Sequence, residues 1–398
     1  MAKQKAKTAM PRLRFPEFRN ALPWNAKLLK DICAVNPSND GLPDSFVYID
    51  LESVEDGQLK AKNRIEKSDA PSRAQRHLRN GDVIFQVVRP YQRNNLYVDF
   101  DDGQQYVAST GYAQLRAKDS ERFLYQAVHV DSFVEGVIAK CTGSNYPAIN
   151  SSDLAEIQVF VPHDAAEQKK IADCLTSLDE VIAAQGRKVE ALKAHKRGLM
   201  QQLFPREGET RPRLRFPEFR SAPVWRAKGL NKLAKIRTGR KDANEGAVDG
   251  VYPFFTCAEN HIYSRSYSFD SEAILIAGNA NVGQAKYYNG KFEAYQRTYV
   301  LTDFSDVFVP YLYQFLDANL RPTLLAQVQT SAMSYIRLPM LEDFQVALPP
   351  SIDEQQRIAE CFSSLDTQIA AEAEQLTVLK THKQGLMQQL FPAPEAVA

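Results

Sequence analysis

Polar side chains with the right geometry to bond the edge of a base gather in a few turns of this sequence. Arg73, Arg76, His77 and Arg79 precede the turn Asn80-Gly81-Asp82, and Arg89, Tyr91, Gln92, Arg93 and Asn94 follow the next β-rich stretch. The turn TGSNYP adds Ser144, Asn145 and Tyr146. Further along, Arg237, Thr238, Arg240 and Lys241 form a basic turn, and Asn279, Asn281, Gln296, Arg297, Ser331, Ser334 and Tyr335 are further candidates. Arginine, lysine, asparagine and glutamine are the residues that match base edges in a major groove. Taken singly, a polar residue in a turn is more often just solvated. The pattern therefore depends on the elements that hold these turns.

Bond-making chemistry finds no comparable set. The stretch Gly278-Asn-Ala-Asn-Val-Gly283 has P-loop spacing but continues Gln284-Ala285, without the Lys-Ser/Thr that hold phosphate and Mg²⁺, and reads as a β-turn. Glu167-Gln-Lys169 resembles the end of a nuclease carboxylate–lysine set. Its counterpart Glu354-Gln-Gln356 lacks the lysine, so a structural role fits better. The six histidines make no metal-binding spacing, and no nucleophile elbow, dinucleotide fingerprint or adenine-methyltransferase motif is found. We expect a non-catalytic chain with no metal site of its own.

The 398 residues suit two or three domains. Net charge is +1, which is not the footprint of a strongly basic nucleic-acid binder. The stretch 25–160 is slightly acidic and 226–347 nearly neutral, so any groove contact must come from local patches. Cys33, Cys141, Cys174, Cys257 and Cys361 are odd in number and widely spaced, which predicts neither a disulfide framework nor a zinc site. The basic start MAKQKAKTAMPRLRF is followed by no apolar stretch of a signal peptide, and a cytoplasmic location is expected.

The elements that would position the turns are doubled. PRLRFPEFR at 11–19 recurs letter for letter at 212–220, followed in each copy by a tryptophan and a lysine, Trp24 and Lys27, then Trp225 and Lys228. Residues 167–205 align without a gap on 354–392, with about 23 of 39 positions identical and the shared ending GLMQQLFP. The segments between show β-rich runs at 46–51, 82–88 and 95–98, then at 273–277, 284–288 and 297–301, with helical patches at 120–138 and 309–327. An α+β class follows.

The long repeat reads as a helix opened by capping boxes at Asp164-Ala-Ala-Glu167 and Ser351-Ile-Asp-Glu354 and stopped by Pro205 and Pro392. Ile171, Leu175, Leu178, Ile182, Val189, Leu192, Leu199 and Leu203 hold alternating spacings of four and three once the polar seam positions Gln185 and Lys196 are included. Ile358, Phe362, Leu365, Ile369, Leu376, Leu379, Leu386 and Leu390 repeat the seam, with Glu372 and Lys383 at the matching polar positions. This is coiled-coil spacing over about five heptads. The simplest partner for each seam is the other, paired antiparallel within one chain. A helix covering its own domain and a homodimer are the alternatives.

The sequence resembles the DNA-specificity subunits of type I restriction–modification enzymes. The resemblance rests on the repeated arm, on two helices of the form EQ-x-x-IA-x-C-x-x-SLD ending in GLMQQLFP, and on TGSNYPAINSSDLAEIQVFVP leading into the first helix. The corresponding TSAMSYIRLPMLEDFQVALPP departs from it. The resemblance implies two globular α/β target-recognition domains separated by two long antiparallel coiled-coil helices, with an internal pseudo-twofold repeat. The divisions would be an arm at 1–24, a recognition domain at 25–162, a central helix at 163–205 and a linker with the arm repeat at 206–225. A second domain at 226–350, a distal helix at 351–392 and a tail at 393–398 would follow. The resemblance also implies a chain that binds no cofactor itself, double-stranded DNA as ligand, a helix pair that sets the spacer of a bipartite site, and two methyltransferase subunits carrying S-adenosylmethionine. A motor-nuclease subunit would join for restriction. A coiled-coil scaffold that binds only proteins is the competing reading.

Overall fold

A computed structural model describes residues 8–39, 41–206, 208–327 and 335–393. The chain forms two compact units, one of residues 1–185 with 375–398, the other of residues 186–374. Both boundaries fall inside long helices, Ala165–Leu203 (the central helix) and Ile352–Leu390 (the distal helix). Each unit thus contains the start of one long helix and the end of the other.

In the first unit, Trp24–Leu28 lies between Thr8–Ala9 and Gln158–Val161 in a small antiparallel sheet that ties the arm to the strand entering the central helix. One four-stranded sheet runs Leu96–Tyr97, Val83–Gln86, Tyr112–Ala117, Cys33–Val35. A second runs Asn63–Glu66, Ser45–Ile49, Tyr106–Ser109, Ala74–His77, with its two inner strands parallel. The helical patch expected at 120–138 is two helices, Glu121–Ala127 and Asp131–Ala139, broken at residues 128–130. Ser120 opens the first by accepting a hydrogen bond from the Phe123 amide, the usual service of a serine cap.

The second unit pairs Arg226–Gly229 with Gln345–Leu348. Its six-stranded sheet is ordered Lys235–Thr238, Thr298–Thr302, Phe269–Ala277, Ala285–Ala294, Tyr252–Phe255, Ile262–Ser264. The helix Val309–Gln327 coincides with the helical patch expected at 309–327. The stretch with P-loop spacing is the connection between two antiparallel strands, closed by the Gly283 amide on the Ala277 carbonyl.

Within each unit the two helix segments run antiparallel and enter the domain core. In the first, Ile171 and Leu175 of the central helix and Met387, Leu390 and Phe391 of the distal one pack with Trp24 and Phe123. In the second, Ile358 and Phe362 share a core with Met200, Leu203, Phe204, Trp225 and Phe315. The Phe391 ring lies 5.7 Å from Trp24 and 5.6 Å from Phe123, and Phe204 lies 5.4 Å from Phe362 and 5.2 Å from Phe315. GLMQQLFP is therefore a core segment that each half of the sequence contributes to the other half's domain. Every apolar seam residue named above is buried or half-buried, as the 3.5-residue period requires.

The capping-box reading needs correction at its second residue. Asp164 and Ser351 do cap, accepting from the amides of Ala166 and Asp353. Glu167 and Glu354 do not fold back onto the caps, because both oxygens of each are taken by an arginine of the repeated arm. Arg14 makes two 2.7 Å bonds to Glu167, and Trp24 Nε1 adds a third at 3.2 Å. Arg215 and Trp225 repeat this on Glu354 at 2.6, 2.6 and 3.3 Å. A bidentate charge-assisted pair outcompetes a single bond to a backbone amide that water can also satisfy. The remaining arginine donors bond the carbonyls of Ala21 and Leu22, and of Ala222 and Pro223.

The two lysines among the polar seam positions are explained the same way. Lys383 Nζ donates to Asp179 Oδ1 at 2.6 Å, and Gln126 Nε2 donates to Asp179 Oδ2 at 2.8 Å. Its twin in the second unit is Lys196 on Asp366 at 2.7 Å, with Gln314 on the other oxygen at 2.9 Å. A domain helix, the start of one long helix and the end of the other thus meet at one carboxylate. No helix among the described residues is long and apolar enough to cross a membrane.

Candidate nucleic-acid interface

Two of the polar patches of the first unit come together. Isolated bridges join Val88 and Thr142 to Ala148, and the Arg89 amide donates to the Pro147 carbonyl at 2.7 Å, which seats the 89–94 turn against the 142–148 turn. The Arg89 guanidinium lies 4.3 Å from the ring centre of Tyr146. Tyr91, Gln92, Ser144, Asn145 and Tyr146 are exposed around it. Arg89 and Arg93 both have left-handed backbones, at φ 53° and 56°, a conformation that costs a non-glycine residue energy and that recurs at functional sites.

Not all of this patch is free to bind. Arg93 spends its donors on Asp131 at 2.7 Å and on the His129 carbonyl at 3.2 Å. The Asn94 amide donates to Gln86 Oε1, and Gln92 accepts from Gln86 Nε2. Arg73, Arg76 and Arg79 lie on or beside the strand Ala74–His77 of the other sheet. Arg73 and Arg79 are exposed, while Arg76 is half-buried with its Nε unpartnered, and burial lowers its pKa.

In the second unit four turns far apart in sequence converge on Gly278. Its amide donates to the Arg297 carbonyl at 3.0 Å, and its carbonyl accepts from the Ile336 amide at 2.8 Å, which brings the neighbouring Tyr335 to this edge. The Gly239 amide donates to Thr298, and the Gln296 amide to Lys241, adding the basic turn. Both glycines are dictated by close approach. A Cβ on Gly278 would sit 2.4 Å from the Arg297 carbonyl oxygen, and one on Gly239 would sit 1.9 Å from that of Ala294. Thr238, Arg240, Gln296, Arg297 and Tyr335 are exposed, and Asn279 is half-buried with its Oδ1 unpartnered.

Here too some candidates are occupied. Lys241 donates to Ser264 and Ser266 and lies 3.5 Å from buried Glu293. Asn281 donates to the Cys257 carbonyl, and Arg237 pairs with Asp303 at 3.3 Å. Ser331 and Ser334 lie outside the described residues. Among the described residues no three His, Cys, Asp or Glu side chains form a group that could hold a metal ion.

Sequence reasoning missed Gln126 and Gln314, which lock the helices. The signal was present as Leu-Tyr-Gln at 124–126 and again at 312–314, inside segments that otherwise share little.

The arrangement defines a class: a duplicated α+β protein with a surface cluster of arginine, amide and tyrosine side chains in each unit. The family model of the type I restriction modification DNA specificity domain matches residues 61–194 and 224–381. The chain belongs to that family. It is similar to the type I restriction enzyme EcoDI specificity subunit of Escherichia coli, 40% identical over 167 residues, covering 41% of this chain and 37% of that protein. It is also similar to the HindI specificity subunit of Haemophilus influenzae, 24% identical over 150 residues, covering 36% of this chain and 29% of that protein. These matches span about a third of the length of those two relatives. The type-I restriction-modification S subunit from M. genitalium shares the fold, with TM-score 0.64 and 16% identity over 96% of this chain and 99% of the other. Nothing in these comparisons supports the protein-only scaffold.

Proposed function

We propose that this chain is the non-catalytic, DNA-reading subunit of a type I restriction–modification assembly. Each domain reads one half of a bipartite double-stranded site, and the two helices set the spacer. At about 1.5 Å per residue, a helix of 39 residues is roughly 58 Å long, ample for two readers about one turn of duplex apart. The observation that carries this reading is the doubling: each unit repeats the arm–helix and helix–helix contacts residue for residue, while their surface clusters differ. A common frame carrying two different readers is what a two-part asymmetric target demands.

Two methyltransferase subunits would dock on the repeated frame and supply S-adenosylmethionine, and a motor-nuclease subunit would join for restriction. Each unit has a groove at the same place, about 880 Å³ in the first and 1130 Å³ in the second, between the arm and the end of a long helix. Gln201, Gln202, Gln388 and Gln389 are exposed at these helix ends, which suits one docking surface presented twice. Partner subunits would supply the phosphate contacts that a chain of net charge +1 lacks. A gel shift with the chain plus methyltransferase subunits tests this. Sequence-specific retardation is expected, and retardation that unrelated DNA abolishes equally well would contradict it.

A further inference from the structure

Arg89 differs from the other candidate cations of the first unit. Arg73 and Arg79 are exposed, and Arg93 is bound to Asp131. Arg76, half-buried with an unpartnered Nε as Arg89 is, lies within a strand and rests on no aromatic ring among the described residues. Arg89 is half-buried, and no carboxylate or other acceptor among the described residues meets its guanidinium. What holds it is the ring of Tyr146, itself 66% exposed, at 4.3 Å from the guanidinium carbon. Its backbone is pinned on both sides. The amide bonds the Pro147 carbonyl, the carbonyl accepts from the Gln92 amide at 3.0 Å, and φ is held at 53° ahead of Pro90.

A planar guanidinium stacked on an aromatic ring keeps its fork of donors fixed in direction. Salt-bridged arginines have already used that fork, and freely solvated ones must be ordered on binding. A stacked arginine without a carboxylate partner has the arrangement suited to a bidentate acceptor, and in a major groove that acceptor is the O6/N7 edge of guanine. Strain in the backbone of a surface turn, retained on both sides by hydrogen bonds, fits a residue whose direction matters.

We infer that Arg89 is a specificity-determining residue that reads a guanine in the half-site of the first domain, with Tyr146 as the platform that orients it. This rests on the DNA-reading function proposed above. The test uses the full chain assembled with methyltransferase subunits, with the target defined first by mapping methylation in a host that carries them. The wild-type half-site assigned to the first domain must contain a G·C pair. A half-site of A·T pairs alone would overturn the assignment of Arg89 while leaving DNA reading intact.

Substitutions at this one guanine in the DNA are then compared between wild-type and variant complexes. The wild-type complex should discriminate against other bases there by roughly tenfold to a hundredfold. Arg89→Lys, which keeps the charge and loses the fork, should collapse this preference to near unity while discrimination at all other positions stays. Tyr146→Phe, which keeps the ring, should resemble wild type, and Tyr146→Ala should weaken the preference. A uniform loss of affinity in Arg89→Lys across all sequences, with every preference retained, would assign Arg89 to the backbone and overturn the inference. Unchanged binding would overturn it too. Absence of any sequence preference in the wild-type complex would instead sink the DNA-reading function itself.

Discussion

Arg14 lies flat against Glu167, with Nε and Nη2 each 2.7 Å from a carboxylate oxygen, and the residues are 153 positions apart in sequence. Glu167 is fully buried and Arg14 nearly so. The pair fixes the arm on the start of the central helix, and Arg215 does the same for the distal helix at Glu354. Removing one member leaves the other charge buried and unpaired, which costs about 3–5 kcal/mol. Glu167→Gln should therefore lower the denaturant midpoint of the first unit while the second unit keeps its own. Replacing Arg14 and Glu167 together should cost less than the sum of the single changes.

Phe391 sits near the end of the sequence but belongs to the core of a domain that begins near residue 24. Phe391→Ala should destabilise the first unit by about 3–5 kcal/mol. Hydrogen exchange followed by mass spectrometry should show protection lost in Trp24–Leu28 and Glu121–Ala127 and kept in the strands 269–302. Phe204→Ala should give the reverse pattern.

His129 makes the first unit sensitive to acid. Burial pushes its pKa down to about 4, while the Tyr125 carbonyl and Asp179 favour the proton and Lys383 and Arg93 oppose it. Nδ1 donates to the Tyr125 carbonyl at 2.7 Å, and Nε2 accepts from Asn95 at 3.2 Å, which describes a neutral ring. The unfolded chain takes up a proton near pH 6.5, before the folded one does. The stability from this group is present above pH 6.5 and is lost as the pH falls toward 4. His129→Gln should flatten the stability profile of the first unit over that interval relative to wild type. An identical slope in both proteins would contradict the assignment.

The helix pair supports a prediction about length. Removing one heptad from the middle of both helices shortens each by about 10 Å, close to three base pairs at 3.4 Å each. A methylation map of the variant should show the same two half-sites with a shorter spacer.

The sequence made the frame legible because its signals are local and repeated. A 3.5-residue seam, prolines at both helix ends and a nine-residue arm spelled twice needed no knowledge of tertiary contacts. The partners of Glu167 and Glu354 were hidden, since a local rule offered the capping box and the arginine that claims each carboxylate lies more than a hundred residues away. The crossed placement of Phe204 and Phe391 was hidden for the same reason. A seam predicts that a helix has a partner, but not that the partner's end completes a distant core. Among the candidate readers, composition singled out Arg93 and Lys241 as readily as Arg89 and Arg297. Only the fold separates side chains bound to Asp131 and Glu293 from those that no carboxylate meets among the described residues.

Residues 25–162 can be exchanged for the corresponding domain of another family member and methylation mapped in a host that also carries the methyltransferase subunits. One half of the bipartite target should change while the other half and the spacer stay as they were. A change in both halves, or in neither, would contradict the assignment of one half-site to each domain.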